Sequence, residues 1–138
     1  MPQLPDSARE MLQGKAYAHV VTRNADGRPQ ITMVWADEID GYLAFNTSRG
    51  RLKLRNIERD PQIAATVQDP RDPQQYLVVH GRAEVLPEGG FEHIDRLAER
   101  FLGLDRYPHL QPGEERVTVR VVADRISGAG PWAPAFRG

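Results

Sequence analysis

The spacing of apolar and polar positions changes several times along the chain, and each change marks an element. Ser7-Ala8-Arg9-Glu10 has the spacing of a capping box, and Gly14 stands where a short helix would stop. From Lys15 to Arg23 the pattern shifts to rough alternation rich in valine, tyrosine and threonine, which predicts a strand. Asn24-Ala25-Asp26-Gly27 is turn chemistry, and Arg28 to Trp35 resumes as a second strand, so the pair reads as a hairpin. Asp37 to Gly41 reads as a polar turn and Tyr42 to Thr47 as a third strand. Alternation stops at Arg49 to Asp60, which predicts a helix halted by Pro61. Gln62 to Gln68 and Gln75 to Leu86 return to strand periodicity, and Gly81 inside the second predicts a bulge or a close backbone approach. Phe91 to Leu102 carries apolar residues at 91, 94, 98, 101 and 102, an amphipathic helix. Arg116 to Ile126 is a last strand, followed by an extended glycine- and proline-rich tail over 127–138.

Six strands joined mostly by tight turns, with three helices, predict a mainly β fold: a small closed antiparallel barrel with peripheral helices. At 138 residues, without repeats or a break in composition, the chain reads as one domain spanning 1–138. Its 18 basic and 19 acidic residues argue against a nucleic-acid or membrane-surface partner. The absence of cysteine excludes disulfides, thiolate catalysis and cysteine-held metals. No apolar run reaches membrane-spanning length, and the first residues lack a signal-peptide pattern, so a cytoplasmic location is expected.

Charge changes the picture in one place. Arg49 to Arg59 holds five basic residues and one acidic one, in a chain with a net charge of −1. Helical spacing puts Arg49, Lys53 and Asn56 on one side and Leu54 and Ile57 on another. The segment follows Asn46-Thr47-Ser48, so basic side chains and free helix amides would converge as an anion site; a solvated basic face is the competing reading. His19, His80, His93 and His109 have no metal-site spacing, and no metal is expected. Ser48 and Ser127 lack a nucleophile-elbow context, no P-loop is present, and no catalytic side chain can be named. Trp132, in a loose tail, is hard to bury within its own domain; it is expected to cover a neighbouring subunit or line a planar ligand's pocket.

Five segments together resemble a known family: Asp26-Gly27-Arg28-Pro29-Gln30, Val34-Trp35, Phe45-Asn46-Thr47, Arg51-Leu52-Lys53-Leu54-Arg55-Asn56 and Arg59-Asp60-Pro61. They resemble the pyridoxamine 5′-phosphate oxidase-like split β-barrels, above all the F420-dependent B group of flavin/deazaflavin oxidoreductases. The resemblance implies an FMN-binding-type split barrel, a homodimer with its cofactor at the interface, and hydride transfer from reduced coenzyme F420 to a small conjugated acceptor. FMN on the same barrel is the alternative cofactor, and non-catalytic binding of a flavin, deazaflavin or haem is the alternative function. By the same resemblance Arg51 and Lys53 bind the phosphate, and neither is expected in the core. Asn46, Thr47 and Ser48 line the ribityl and phosphate path, and Gln30, Thr32 and Val34 face the ring. Asn56 holds the helix or the phosphate, and Tyr76 and Trp132 come from the partner chain. The acidic tail of coenzyme F420 would be received by Arg49, Arg55 and Arg59. The arginine-containing C-terminal segment that vitamin B6 oxidases use for substrate phosphate has no counterpart after Gly128.

Overall fold

The computed structural model describes residues 3–133. The chain begins with α1 (Asp6–Leu12), entered through Pro5, whose carbonyl oxygen accepts from the amides of Ala8 and Arg9. The expected capping box is not formed: no side chain caps this helix, because proline's fixed backbone starts it one residue before Ser7. β1 (Tyr17–Arg23) and β2 (Pro29–Trp35) form the expected hairpin, with Tyr17 opposite Trp35.

The polar stretch read as one turn divides in two. Asp37–Ile39 is a strand, β3, paired with β4 (Tyr42–Ser48), and only Asp40-Gly41 turns. Both turn residues have positive φ, 54° and 90°, as a tight two-residue hairpin requires. Asp37 looked like loop because it is a carboxylate, yet the fold buries it against partners described below. α2 (Leu52–Arg59), β5 (Gln62–Gln68), β6 (Tyr76–Leu86), α3 (Gly90–Leu102) and β7 (Arg116–Ala129) follow. β7 runs beyond the expected end, so positions 127–129 belong to the sheet rather than to a tail; positions 134–138 lie outside the described residues. The register shifts between His80 and Gly81, and a Cβ on Gly81 would lie 2.1 Å from the Val122 carbonyl oxygen. The bulge and the close approach coincide.

Among the described residues seven antiparallel strands, one more than expected, form a single sheet in the order β2-β1-β5-β6-β7-β4-β3. The sheet curls until β2 packs against β4, making a half-barrel rather than the closed barrel expected, because the edge strands β2 and β3 do not pair with each other. Its inner face holds Val20, Phe45, Val67, Leu77, Val79 and Val119, with Met11 and Leu12 of α1 and Leu54 of α2 closing the ends. Along β7 the alternation sorts two environments: Val117, Val119 and Val121 enter this core, whereas Arg116 and Thr118 lie on the other face, with α3 packed on β4 and β7. β4 is covered on both faces, which explains its nearly unbroken buried run.

Candidate functional site

Where β2 meets β4 there is a cavity of about 170 Å³. Its polar wall is Asn46 and Thr47 at the end of β4, Arg51 and Lys53 at the start of α2, and Arg116 at the start of β7. Its apolar wall is Met33, Val34 and Trp35 of β2, Ile94 and Leu97 of α3, and Tyr107. The Trp35 ring is stacked on Phe101 with centroids 4.9 Å apart and meets the Tyr107 ring edge-on, so this wall is braced from behind.

Most of the charge on the polar wall is uncompensated among the described residues. Lys53 is only 7% exposed, which corrects the expectation that it lies outside the core, and among the described residues it has no carboxylate partner. Burial, then the neighbouring Arg51 and Arg116 charges, push its pKa below the usual lysine value. A buried cation without a counter-ion is costly unless something else supplies the charge. The Thr47 hydroxyl is also buried, with no hydrogen-bond partner among the described residues. Around them Arg116 is the one cation with a carboxylate, bonded to Glu114 at 2.8 Å. Glu114 is held down at about 2 by the Gln111 backbone amide, against burial, with Arg116 and the Ser48 hydroxyl adding to it.

A buried polar chain stands behind the cavity. The Arg116 Nε–H donates to Asn46 Oδ1 at 2.8 Å, and Asn46 Nδ2 donates to the Gly90 carbonyl at 2.8 Å. That orientation makes His93 Nδ1 the acceptor from Asn46 at 3.3 Å and from the Thr118 hydroxyl at 2.9 Å. His93 Nε2–H then donates to Asp37 Oδ2 at 3.0 Å. Burial alone would raise the Asp37 pKa, but His93 and Arg100, the latter 2.9 Å away, outweigh it and hold the carboxylate below its usual range. His93 is thus a satisfied core histidine. Among the described residues no group of three His, Asp or Glu side chains could hold a metal ion.

Of the residues named from sequence, Val34, Asn46, Thr47, Arg51 and Lys53 come together on the cavity. The others do not line it. Ser48 is buried beside them but spends its hydroxyl on Glu114. Gln30 accepts from Thr22, and Thr32, on the same inward face, is half-buried with an unpartnered hydroxyl. Asn56 is fully buried and donates to Thr22 Oγ1 and Asn24 Oδ1, so it ties α2 to the hairpin rather than binding an anion. Trp132 is 6% exposed within its own chain's core, and its Nε1–H donates to the Tyr76 carbonyl at 2.9 Å. That corrects the expectation that it could not be buried at home: the longer β7 delivers it back onto β6. Tyr76, at the far end of β6, is half-buried. Arg49 lies before α2 and is paired with Glu58 and Glu115, while Arg59 donates to Asn56 and the Arg23 carbonyl; of the three expected tail receptors Arg55 alone, also exposed, has no partner among the described residues. Sequence reasoning missed Arg116, His93 and Asp37; the polar residues of β4 and β7, Asn46 opposite Thr118 and Ser48 opposite Arg116, are a signal for Arg116 alone.

Fold and site together define a split-barrel protein with a cationic cavity at the seam of the barrel, one that fits a phosphate group. The chain belongs to the pyridoxamine 5′-phosphate oxidase family, which matches residues 4–128. A 5a,11a-dehydrotetracycline/5a,11a-dehydrooxytetracycline reductase of Streptomyces rimosus is 30% identical over 110 residues, 72% of this chain and 77% of that protein. A solved F420 reductase is 30% identical with a TM-score of 0.76, covering 90% of this chain and 98% of its own. A conserved hypothetical protein of Mycobacterium tuberculosis shares the fold at 24% identity and a TM-score of 0.69, covering 93% of this chain and 89% of its own.

Proposed function

We propose that this protein is a reductase that uses reduced coenzyme F420 to reduce a small conjugated acceptor. The observation that carries the reading is Lys53: a buried, unpartnered cation beside Arg51, Arg116 and an unpartnered Thr47 hydroxyl, at the start of a helix. Such a donor set fits a phosphate and has no evident use without one. Lys53 and Arg51 would hold the phosphate, Thr47 would donate its hydroxyl, and Val34 with Trp35 would exclude water on the other side. The deazaflavin, when bound, supplies a hydride equivalent, so the chain needs no nucleophile of its own. The names of the F420 reductase and the dehydrotetracycline reductase among its relatives support both the cofactor and a conjugated acceptor.

The cavity also bears on assembly. Sites for whole small molecules and cofactors run to roughly 300–1,000 Å³, and 170 Å³ from one chain suits the phosphate end alone. The ring would therefore lie over the inward positions of β2, Gln30 and Thr32 among them, against a wall supplied by a second copy. Exposed Ile31 and Met33 on the same edge strand support a homodimer there. Parallel titration with coenzyme F420 and FMN, followed by oxidation of reduced F420 with a panel of enones and quinones, tests the reading. Tighter F420 binding with turnover is expected. Preferential FMN binding would move the protein to the flavin alternative, and F420 binding without turnover on any acceptor would make it a carrier.

A further inference from the structure

We infer that Arg116 is the third anion-binding side chain of the cavity, held so that its Nη2 is kept for the ligand; the inference rests on reading the cavity as a phosphate site. Arg116 is 8% exposed and lines the cavity, and two of its three guanidinium nitrogens are committed. Nε donates to Asn46 and Nη1 to Glu114, each at 2.8 Å. The Tyr107 ring lies against the guanidinium, with Cζ 5.1 Å from the ring centroid. Nη2 has no partner among the described residues. A guanidinium fixed on two sides loses little freedom when the third binds, which is what favours arginine over lysine for planar anion recognition.

What fixes it is the chain of bonds behind the cavity. Asn46 cannot turn its amide over without losing both the Gly90 carbonyl and Arg116 Nε. Gly90 is pressed so closely on β7 that a Cβ there would lie 2.0 Å from the Arg116 carbonyl oxygen. The start of α3, Asn46 and Arg116 therefore form one rigid unit, with His93 and Asp37 as positioning residues beneath it.

Charge then defines the ligand. Three cations and Glu114 leave the site with two net positive charges, so it suits two negative charges at or next to one phosphorus. A phosphate monoester such as FMN carries both on the phosphate, whereas coenzyme F420 carries one on a phosphodiester and the rest on the carboxylates of its acidic tail.

The test measures Kd for inorganic phosphate by thermal shift, and Kd for FMN and coenzyme F420 by fluorescence, in the wild-type protein, Arg116→Gln, Arg116→Lys and Arg120→Gln. Arg120 lies on the same strand face but is occupied by Glu84 and Asp40, and its substitution is expected to leave all three constants unchanged. Arg116→Gln is expected to weaken all three ligands by at least about tenfold, the scale of one charge-assisted hydrogen bond. Arg116→Lys keeps the charge without the fork and is expected to lose roughly threefold to tenfold. If Arg116→Gln does not fold, the lysine variant carries the comparison. A merely structural role lowers the unliganded melting temperature and leaves the constants at wild-type values, and that outcome overturns the inference. Phosphate binding lost in Arg116→Gln, in a protein that takes up neither cofactor, would keep Arg116 and discard the cofactor reading. A wild-type protein that binds none of the three ligands discards both.

Discussion

The two ends of α2 carry similar side chains and do opposite things. At its C-terminal end Arg59 and Asn56 are spent on the β1–β2 hairpin, through the Arg23 carbonyl, Thr22 and Asn24. Just before the helix, Arg49 is likewise spent on Glu58 and Glu115. Between them Arg51 and Lys53 face a cavity with no carboxylate of their own. One basic run thus divides into residues that build the fold and residues that line the cavity without a carboxylate partner among the described residues. Partnering, not charge density, separates the two.

The contrast can be broken at either end. Replacing both Arg51 and Lys53 by alanine should have the largest effect, weakening binding of a phosphate-bearing cofactor by roughly a hundredfold, with Lys53 contributing most because it is buried. Unchanged affinity in a titration would return the cluster to a solvated face. Asn56→Leu should instead cost about 1–3 kcal/mol in denaturant unfolding, since it strands the Thr22 and Asn24 side chains. Its effect on affinity should be the smaller one, and the reverse result would erase the division of labour.

Lys53→Met sharpens the comparison further. Without ligand it should stabilise the fold by about 1 kcal/mol, because it removes a buried charge that has no partner. The pH dependence has a definite sign. With its folded pKa below the ordinary 10.5, Lys53 binds fewer protons folded than unfolded, so its share of stability grows as pH rises through that window. Unfolding curves of Lys53→Met should lose that rise. Glu114 gives the same sign in an acid window: held at about 2 instead of 4.5, it contributes fully above pH 4.5 and loses its contribution as pH falls toward 2. Glu114→Gln should flatten that acid limb, and an unaltered limb would remove Glu114 from the account. The smallest effect belongs to exposed Arg55, whose alanine variant should weaken coenzyme F420 by less than about twofold and only at low salt.

Much of this was legible in the residues themselves. Alternation and turn chemistry located the β1–β2 hairpin, Gly81 announced its bulge, and the basic run with Asn46 and Thr47 pointed to the residues that share the cavity, because period, turn geometry and charge density are local properties. Asp37 was misread for an equally local reason, since a carboxylate in a strand looks like loop until a histidine and an arginine are brought to it. Which cations remain unpaired is decided elsewhere. Glu115 reaches Arg49 across 66 residues, and Arg116 reaches Asn46 across 70, so only the folded sheet determines that Arg49 is satisfied and Lys53 is not. The sequence by itself determined six of the seven strands and the kind of charge that follows β4; the tertiary structure decided which of those charges lack a partner, because pairing depends on distances that close only when β4, β7 and α3 pack together.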